Sequence, residues 1–279
     1  MKLIADSGST KCDWVMANNM VVKPVVSTEG YNPFYMNEQQ IFESLQRSLV
    51  PQVEVWKVRE IFFYGAGCSN PDKNKILSRA LQQTFRSASV VVTHDLLGSA
   101  RALLGNEPGF AAILGTGTNT AIYDGKNITL NIDSLGHLIG DEGSGCYMGK
   151  KLLREYLRNQ LDDELSKKVF AYCPMKKDEV FENLFFKPKP NRFVAGFARV
   201  VIENKNHPFC EKIIRDSFHD FFENIVSRYP DYKKYIFNCV GSIAFLNKEI
   251  LEETAIEYGM TFGKIIKSPI DELVKYHLQ

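Results

Sequence analysis

Apolar and polar positions along the first half of the chain predict strands and helices in a defined order. Short apolar runs ending in turn residues indicate strands, and apolar residues spaced three or four apart indicate amphipathic helices. We predict a loop at Ser27 to Phe34, rich in Gly, Asn and Pro. The order is βββαβαβα, with three strands within 1–26, strands at 60–64 and 89–93, and helices at 37–49, 71–85 and 96–104.

The second half begins with the same pattern and then adds a helical insertion. Residues Phe110 to Gly145 contain apolar runs separated by Gly115–Thr118 and by Asp124-Gly125, a dipeptide that favours a tight hairpin. Residues 148–229 are mostly helical in their spacing, with one of the helices at 193–203 and the prolines at 188 and 190 marking a loop. The pattern then predicts a strand at 235–240, a helix through 258, a strand at 260–266 and a helix at 271–278.

The two halves align as an internal repeat. Ile4-Ala5 falls on Ile113-Leu114, and Ser7-Gly8-Ser9 falls on Thr116-Gly117-Thr118. The repeat indicates two similar domains, 1–106 and 107–279, that face each other across one ligand. Each half offers a hairpin with hydroxyls and unhindered backbone N–H groups at one point, an arrangement that suits phosphate oxygens.

The two hairpins differ at one position. Asp6 of the first copy aligns with Gly115 of the second, so only one hairpin carries a carboxylate there. Carboxylate oxygens suit a hard cation such as Mg²⁺, whereas glycine leaves room for a phosphate group. The difference predicts a metal on one side and phosphate contacts on the other.

Composition and charge exclude several classes of protein. With 279 residues, 44% hydrophobic and 24% charged, the chain can bury two cores. A net charge of +1 without basic runs argues against nucleic acid or membrane surfaces as partners. Six scattered cysteines without a C-x-x-C pair indicate reduced thiols, and the first residues reach Asp6 too soon for a signal peptide, so we expect a cytoplasmic location.

Several polar residues are candidates for a ligand site, each with a purely structural alternative. Asp95 follows a buried strand, where open α/β sheets bind ligands, but it could equally cap the next helix. Asn32 could simply form a turn, and Gly67 a tight bend. Asp141 lies in the glycine-rich loop 136–145, which favours ligand contact over ion pairing. Gly241-Ser242 joins a strand to a helix, a weak sign of phosphate or nucleotide contact.

Taken together, these segments resemble the BadF/BadG/BcrA/BcrD ATPase family, and within it the N-acetylglucosamine kinases of the sugar kinase, actin and heat-shock chaperone superfamily. Six motifs in order carry the resemblance over nearly the whole chain: ADSGSTK at 5–11, HDLLGSA at 94–100, LGTGTN at 114–119, GHLIGDEGS at 136–144, RFVAGFAR at 192–199 and CVGSIA at 239–244. The resemblance implies two ribonuclease H-like (actin-like ATPase) α/β domains with a cleft between them.

It also implies ATP and Mg²⁺ as cofactors and an amino sugar, most simply N-acetylglucosamine phosphorylated at its 6-hydroxyl, as substrate. Asp95 would be the general base and Asp6 would hold Mg²⁺ through water. The implied contacts fall into three sets: Ser9, Thr10, Lys11, Thr116, Gly117 and Thr118 on the phosphates; Gly241 and Ser242 on the adenosine; and Asn32, Gly67, Asp95, Asn119, Gly136 and Asp141 in the sugar pocket.

Other functions within this resemblance stay open. N-acetylmuramic acid is the nearest rival substrate, and an ATPase that activates a radical dehydratase is a different class, although we find no cysteine pair suited to its iron–sulfur cluster. A non-catalytic nucleotide-binding protein would not need Asp95. Residues 267–271 replace a glycine-rich turn that often borders the nucleotide in the family, which leaves the nucleotide preference open. A homodimer is one option for assembly.

Overall fold

The structure, a computed structural model, describes residues 1–8 and 10–279, and its elements follow the order that the sequence predicts. The strands are β1 (Lys2–Ser7), β2 (Lys11–Ala17), β3 (Val26–Glu29), β4 (Glu60–Gly65), β5 (Ser89–His94), β6 (Gly109–Leu114), β7 (Thr118–Tyr123), β8 (Ile128–Leu130), β9 (Ile236–Val240) and β10 (Thr261–Ile266).

The helices before β9 include a long series between β8 and β9, which is the predicted insertion. The helices are α1 (Glu38–Ser48), α2 (Pro71–Thr84), α3 (Asp95–Leu104), α4 (Gly136–Ile139), α5 (Gly145–Leu157), α6 (Asp163–Tyr172), α7 (Lys177–Phe185), α8 (Pro190–Gly196), α9 (Ala198–Glu203), α10 (Pro208–Asn224), α11 (Ser242–Leu246), α12 (Lys248–Glu257) and α13 (Ile270–Leu278).

The strands of residues 1–8 and 10–279 form two five-stranded sheets with one topology. The orders are β3-β2-β1-β4-β5 and β8-β7-β6-β9-β10, so each sheet begins as a meander and continues through helical crossovers. In the first sheet, β1 pairs antiparallel with β2 and parallel with β4. In the second, β6 and β10 both pair parallel with β9. The α/β class and the internal repeat are confirmed.

Local signals explain where the helices of the first half begin. Asn37 caps α1 through a reciprocal capping box with Gln40, and Asn70 accepts hydrogen bonds at the start of α2, where Pro71 occupies the first helical position. Burying the apolar faces of these helices against the sheet forms a core around Trp14 and Phe63. The second half has a separate core, in which Phe110, Phe218, Phe221, Phe222 and Phe237 are fully buried.

Contacts between Cα atoms divide the chain into two compact units. The first contains Met1–Pro108, Tyr123–Ile128 and Ser268–Gln279, and the second contains Gly109–Ile122 and Thr129–Lys267. Helix α13 accordingly packs against α3, β1 and β2 of the first unit, although the sequence repeat assigns residues 268–279 to the second domain. The division at residue 106 stays a prediction. Over the described residues, no helix has the length and apolar character needed to cross a membrane.

Three predicted elements need correction. The loop predicted at 27–34 is wrong over its first three residues, because they belong to β3, where buried Thr28 accepts a hydrogen bond from the Trp14 indole at 3.0 Å. Such a polar edge strand lacks the apolar pattern of a buried one.

The helix predicted from 193 to 203 is divided into α8 and α9 at Phe197, and Pro190 opens α8 instead of ending a loop. The helix predicted from 242 to 258 is divided into α11 and α12 at Asn247. The buried side-chain amide of Asn247 donates to the Ile243 carbonyl at 2.9 Å and so satisfies an acceptor at the end of α11.

Candidate active site

The first hairpin carries two carboxylates side by side. Asp6 on β1 and Asp13 on β2 are directly opposed in the antiparallel register, so their side chains share one face of the sheet. Asp13 is buried, accepts a hydrogen bond from the Ser27 hydroxyl at 2.5 Å and forms an ion pair with Lys11 at 2.6 Å. Lys11, expected on the phosphates, is mostly exposed beyond this pair.

Asp6 and Asp95 lie near enough to influence each other's charge. Burial, together with the neighbouring charges of Asp95 and Asp13, raises the pKa of Asp6 to about 7, and the opposing effect of Lys11 is smaller. Burial also raises the pKa of Asp95 to about 6, although hydrogen bonds from backbone N–H groups oppose that shift. Two carboxyl groups titrating near neutrality indicate a site prepared for a cation or a proton.

Asp95 is the first residue of α3 and does not serve as its N-cap. That position belongs to His94, whose Nδ1 accepts a hydrogen bond from the Leu97 N–H at 3.2 Å. The Asp95 carboxylate accepts from the N–H of the adjacent Leu96 at 2.9 Å. His94 therefore takes the helix-capping role that was the structural alternative for Asp95.

Asn32 and Gly67 are in direct contact within the first unit. Gly67 has a positive φ of 78°, and a Cβ built on it would lie 2.5 Å from the Asn32 side-chain oxygen. That oxygen also accepts from the Phe34 N–H at 2.9 Å, which closes the predicted turn. Cys68 follows Gly67, and burial, with a smaller effect of the Asp95 charge, raises the pKa of its thiol to about 12. Asn32, Gly67 and Asp95, the residues of this unit predicted for the sugar pocket, are therefore near one another.

The second hairpin lies against the glycine-rich loop that follows β8. The Gly145 N–H donates to the Gly115 carbonyl at 2.8 Å, and the Cys146 N–H donates to the Thr116 carbonyl at 3.0 Å. Asp141 is buried and accepts from the Thr118 N–H at 3.2 Å. The hairpin is thus fixed in place by backbone groups and one buried carboxylate.

The remaining predicted residues of the second unit differ in their surroundings. Buried Thr118 donates its hydroxyl to the Glu142 carbonyl at 2.5 Å, whereas Thr116 and Gly117 are partly exposed. The Asn119 side-chain oxygen accepts from Asn131 at 2.9 Å. Gly136 has a positive φ and open space where a Cβ would stand.

Gly241 lies beside the second hairpin. Its φ is 134°, and a Cβ there would clash with the Leu114 carbonyl oxygen and stand 3.2 Å from the Gly115 nitrogen. Glycine is therefore required where β9 ends against β6. Ser242 is exposed and begins α11.

Sequence reasoning missed two residues of the first unit, Asp13 and His94. A third residue, Ser9, was predicted but lies outside the residues that the structure describes. Asp13 could have been found by pairing positions across the Gly8 turn, since that register opposes it to Asp6. His94 as a cap carries a weaker signal, because histidine is uncommon in that role. Thr10, predicted with Ser9 to contact phosphate, is exposed.

No protein-family model matches the chain. Among solved structures, a candidate N-acetylglucosamine kinase from Porphyromonas gingivalis is 35% identical to it, with a TM-score of 0.94 over 99% of this chain and 98% of the other. This identity over nearly the full length of both chains relates the two proteins as members of one family.

Two more distant structures share the fold. A candidate N-acetylglucosamine kinase from Chromobacterium violaceum has a TM-score of 0.70 and 15% identity, with 100% of this chain and 98% of the other covered. A glucokinase of the ROK family from Streptomyces griseus, solved with glucose and AMPPNP, has a TM-score of 0.57 and 12% identity, with 98% of both chains covered.

Proposed function

The chain belongs to the N-acetylglucosamine kinase-like group of the BadF/BadG/BcrA/BcrD ATPase family, and from this premise we propose that it transfers the γ-phosphoryl group of ATP to an amino sugar. The observation that carries the proposal is the position of Asp95. Its carboxylate follows β5, lies near Asp6 and is not needed as a helix cap. A sugar kinase needs a carboxylate in such a place.

Asp95 would act as the general base. It would accept the proton of the sugar's 6-hydroxyl as that oxygen attacks the γ-phosphorus and the bond to the β,γ-bridging oxygen breaks, leaving ADP. The raised pKa near 6 matches a group that must accept a proton near neutral pH. The position of the carboxylate is also fixed, because β5 ends at His94 and α3 begins at Asp95.

Mg²⁺ would be held at Asp6. The fit rests on the donor chemistry and the charge, since Asp6 is crowded by Asp95 and Asp13 and a divalent cation would relieve that repulsion. Within 1–8 and 10–279, no group of three or more His, Cys, Asp or Glu is arranged for a metal. Mg²⁺ often uses one or two carboxylates together with phosphates and water. When bound, it would neutralise charge on the phosphates.

The two hairpins would bind the nucleotide. Ser9, Thr10 and Lys11 of the first hairpin are proposed to contact the β- and γ-phosphates, with Asp13 holding Lys11 in reach. Thr116, Gly117 and Thr118 are proposed to border the phosphate oxygens, with N–H groups offered by Thr116 and Gly117, because the Thr118 N–H is already bound by Asp141. Gly241-Ser242 is proposed to meet the adenosine.

Asn32, Gly67, Asn119, Gly136 and Asp141 are proposed to surround the sugar. Asn32 supports this assignment because its side chain is fixed by the turn and by contact with Gly67. A site that hydrogen-bonds a hydroxyl or acetamido group rejects sugars without it, because buried polar groups are then left unpaired. We propose N-acetylglucosamine as the substrate, with N-acetylmuramic acid as the competing candidate.

A coupled assay of ADP release over hexoses and N-acetylated sugars tests the proposal. We expect ADP release that depends on sugar and is fastest with N-acetylglucosamine. Faster turnover of N-acetylmuramic acid would change the substrate, and ADP release independent of any sugar would support the ATPase activator instead. Mass spectrometry of the product distinguishes phosphorylation from hydrolysis.

The proposal includes a cytoplasmic site of action, where ATP is plentiful and thiols stay reduced. All six cysteines are buried and unpaired, consistent with such a compartment. A homodimer stays a prediction, which sedimentation of the purified protein would test.

A further inference from the structure

Asp141 occupies a backbone conformation that aspartate rarely adopts. Its φ is 60°, in the left-handed region, although the glycines at 140 and 143 stand close by in the same loop. Its side chain is only 7% exposed. A strained, buried aspartate in a loop that could have used glycine indicates that the carboxylate itself is needed.

The carboxylate of Asp141 is directed at the second hairpin. Its Oδ1 accepts from the Thr118 N–H at 3.2 Å, and a Cβ built on Gly117 would stand 3.1 Å from its Oδ2. The carboxylate therefore occupies the space beneath Gly117 that a side chain would otherwise take. Glycine at 117 and aspartate at 141 fit each other.

Other hydrogen bonds also connect the glycine-rich loop to the second hairpin, but they do not use the Thr118 N–H that Asp141 binds. Backbone groups of Gly145 and Cys146 bind the carbonyls of Gly115 and Thr116. The Thr118 hydroxyl binds the Glu142 carbonyl. These bonds use carbonyls and a hydroxyl of the hairpin, and the Thr118 N–H is bound by Asp141.

We propose that Asp141 is a positioning residue, whose carboxylate fixes Gly117 and Thr118 so that the hairpin is ordered for nucleotide phosphates before ATP binds. The inference rests on the proposed function and deepens it. It adds this role to the sugar contact proposed above for Asp141.

The surroundings of Asp141 partly offset the cost of burying its charge. Burial raises the pKa of Asp141, but the Thr118 N–H, the Ser134 hydroxyl and the charges of His137 and Lys150 all oppose that shift. Hydrogen bonds to an ionised acceptor are roughly twice as strong as neutral ones. An acceptor of this kind can hold a glycine-containing turn that would otherwise sample many conformations.

The test compares Asp141→Gly with Asp141→Asn. Glycine adopts a φ of 60° without strain, so Asp141→Gly removes the carboxylate without straining the backbone, whereas asparagine tolerates that conformation and keeps an acceptor oxygen. Asp231→Gly is the matched control, because Asp231 also has a positive φ, 54°, in the second unit and its side chain pairs with Lys234 on the surface.

The readouts are the dissociation constant of a non-hydrolysable ATP analogue, the KM for sugar and amide exchange at Thr118. We expect Asp141→Gly to weaken analogue binding about 10-fold, because the turn must be ordered on binding, and to speed exchange at Thr118. Asp141→Asn should stay within about 3-fold of the unmodified protein. The control should change none of these values.

A double-mutant cycle with Gly117→Ala measures the contact itself. The added methyl should weaken analogue binding when Asp141 is present and do so less in the Asp141→Gly background, because the crowding atoms are gone. If Asp141→Gly does not fold, faster exchange at Thr118 in Gly117→Ala still supports the contact, and unchanged exchange opposes it.

The outcomes separate this inference from the proposed function. An unchanged analogue affinity with a raised KM for sugar in Asp141→Gly would overturn the positioning role and leave only the sugar contact. Sugar-independent ADP release by the unmodified protein, together with weaker analogue binding in Asp141→Gly, would overturn the kinase proposal and leave the positioning role standing. A protein that binds no analogue overturns both.

Discussion

The two hairpins have the same topology but obtain their negative charge in different ways. The first has Asp6 and Asp13 within its own strands, opposed in register. The second has Gly115 where Asp6 would be and receives the carboxylate of Asp141 from a loop that comes later in the chain. One hairpin therefore carries its carboxylates on its own strands, and the other receives a carboxylate from outside the hairpin.

This difference explains how a duplicated fold can serve an asymmetric reaction. A base and a cation site need carboxylates that face the ligand, whereas phosphate oxygens need N–H groups with no carboxylate in front of them. A carboxylate beneath the turn orders the N–H groups without opposing the phosphate at close range. Of the four predictions below, three change residues of the first unit and one changes the second hairpin.

The largest effect is expected for Asp95→Asn. The substitution keeps the shape of the side chain but removes the proton acceptor, so kcat should fall on the order of 10²–10⁴-fold with little change in sugar affinity. Stability should not fall, since His94 provides the cap and the raised pKa of Asp95 means that its charge is unfavourable in the folded chain near neutral pH. Steady-state kinetics and thermal unfolding on one preparation check both values.

Asp72→Asn is the matched control for Asp95, because Asp72 is an exposed aspartate in the first turn of α2. It should keep normal turnover. A folded Asp95→Asn enzyme with near-native kcat would remove the general base from the proposed mechanism.

Asp6→Asn should reduce turnover about 10²-fold, because the charge that would hold the cation is lost. Sugar binding, measured by calorimetry without nucleotide, should be unchanged. Normal kcat at saturating Mg²⁺ would exclude Asp6 from the reaction. Placing Asp6→Asn beside Asp95→Asn tests whether the two carboxylates have separate roles.

The third prediction compares the side chains that pack against the two sheets. The second is covered by phenylalanines, but the first has a polar group at His277 of α13, which stacks on Phe62 at 3.9 Å and binds the Tyr64 hydroxyl at 2.8 Å. Burial, with Arg101 of α3 and Lys2 of β1, lowers the pKa of His277 to about 4.

The pKa of His277 is 6.5 in the unfolded chain and about 4 in the folded chain, so the unfolded chain binds the proton first as the pH falls. The free energy of unfolding should therefore decrease as the pH drops from 6.5 to about 4. The loss should approach about 2–3 kcal/mol at pH 4. The variant His277→Gln should remove that part of the pH dependence. Denaturant unfolding between pH 4 and 7 measures it, and equal slopes in both proteins would contradict the assignment.

The smallest effect is expected for Gly115→Asp, which gives the second hairpin the carboxylate of the first. A Cβ at position 115 meets no atom within 4 Å, so the protein should fold. The new charge should weaken binding of an ATP analogue about 10-fold by repulsion. Gly115→Asn is the uncharged control, and equal affinity in the two variants would show that charge at this position has no effect.

Much of the fold follows from local patterns in the sequence. The hairpins, the helix that follows Asn37 and the helix that begins at Pro71 depend on residues within a few positions of each other, and the structure confirms all of them. Because the two halves align as a repeat, the order of elements predicted for one half could be used to predict the order in the other. The third strand, predicted within 1–26, was placed too early, because β3 runs from Val26 to Glu29 and its buried side chain, Thr28, is polar.

The site was less predictable where a side chain depends on tertiary contacts. Position along the chain indicated that Asp141 lies in a binding loop, but only the fold reveals that its carboxylate contacts Gly117 and Thr118. The role of Asp13 likewise comes from strand register and from Ser27 on the next strand. The amphipathic pattern of α13 predicted a helix but carried no information on which core it covers.

The attachment of α13 has a consequence for the order in which the protein is made. The side-chain amine of Lys2 binds the backbone of His277, two residues that are separated by 275 positions. During synthesis, the first sheet emerges early but lacks residues 268–279 until the whole second unit has been translated. The first unit should therefore be completed after the second, and a ribosome stalled before residue 268 should hold a nascent chain in which Phe62 is uncovered and available to chaperones.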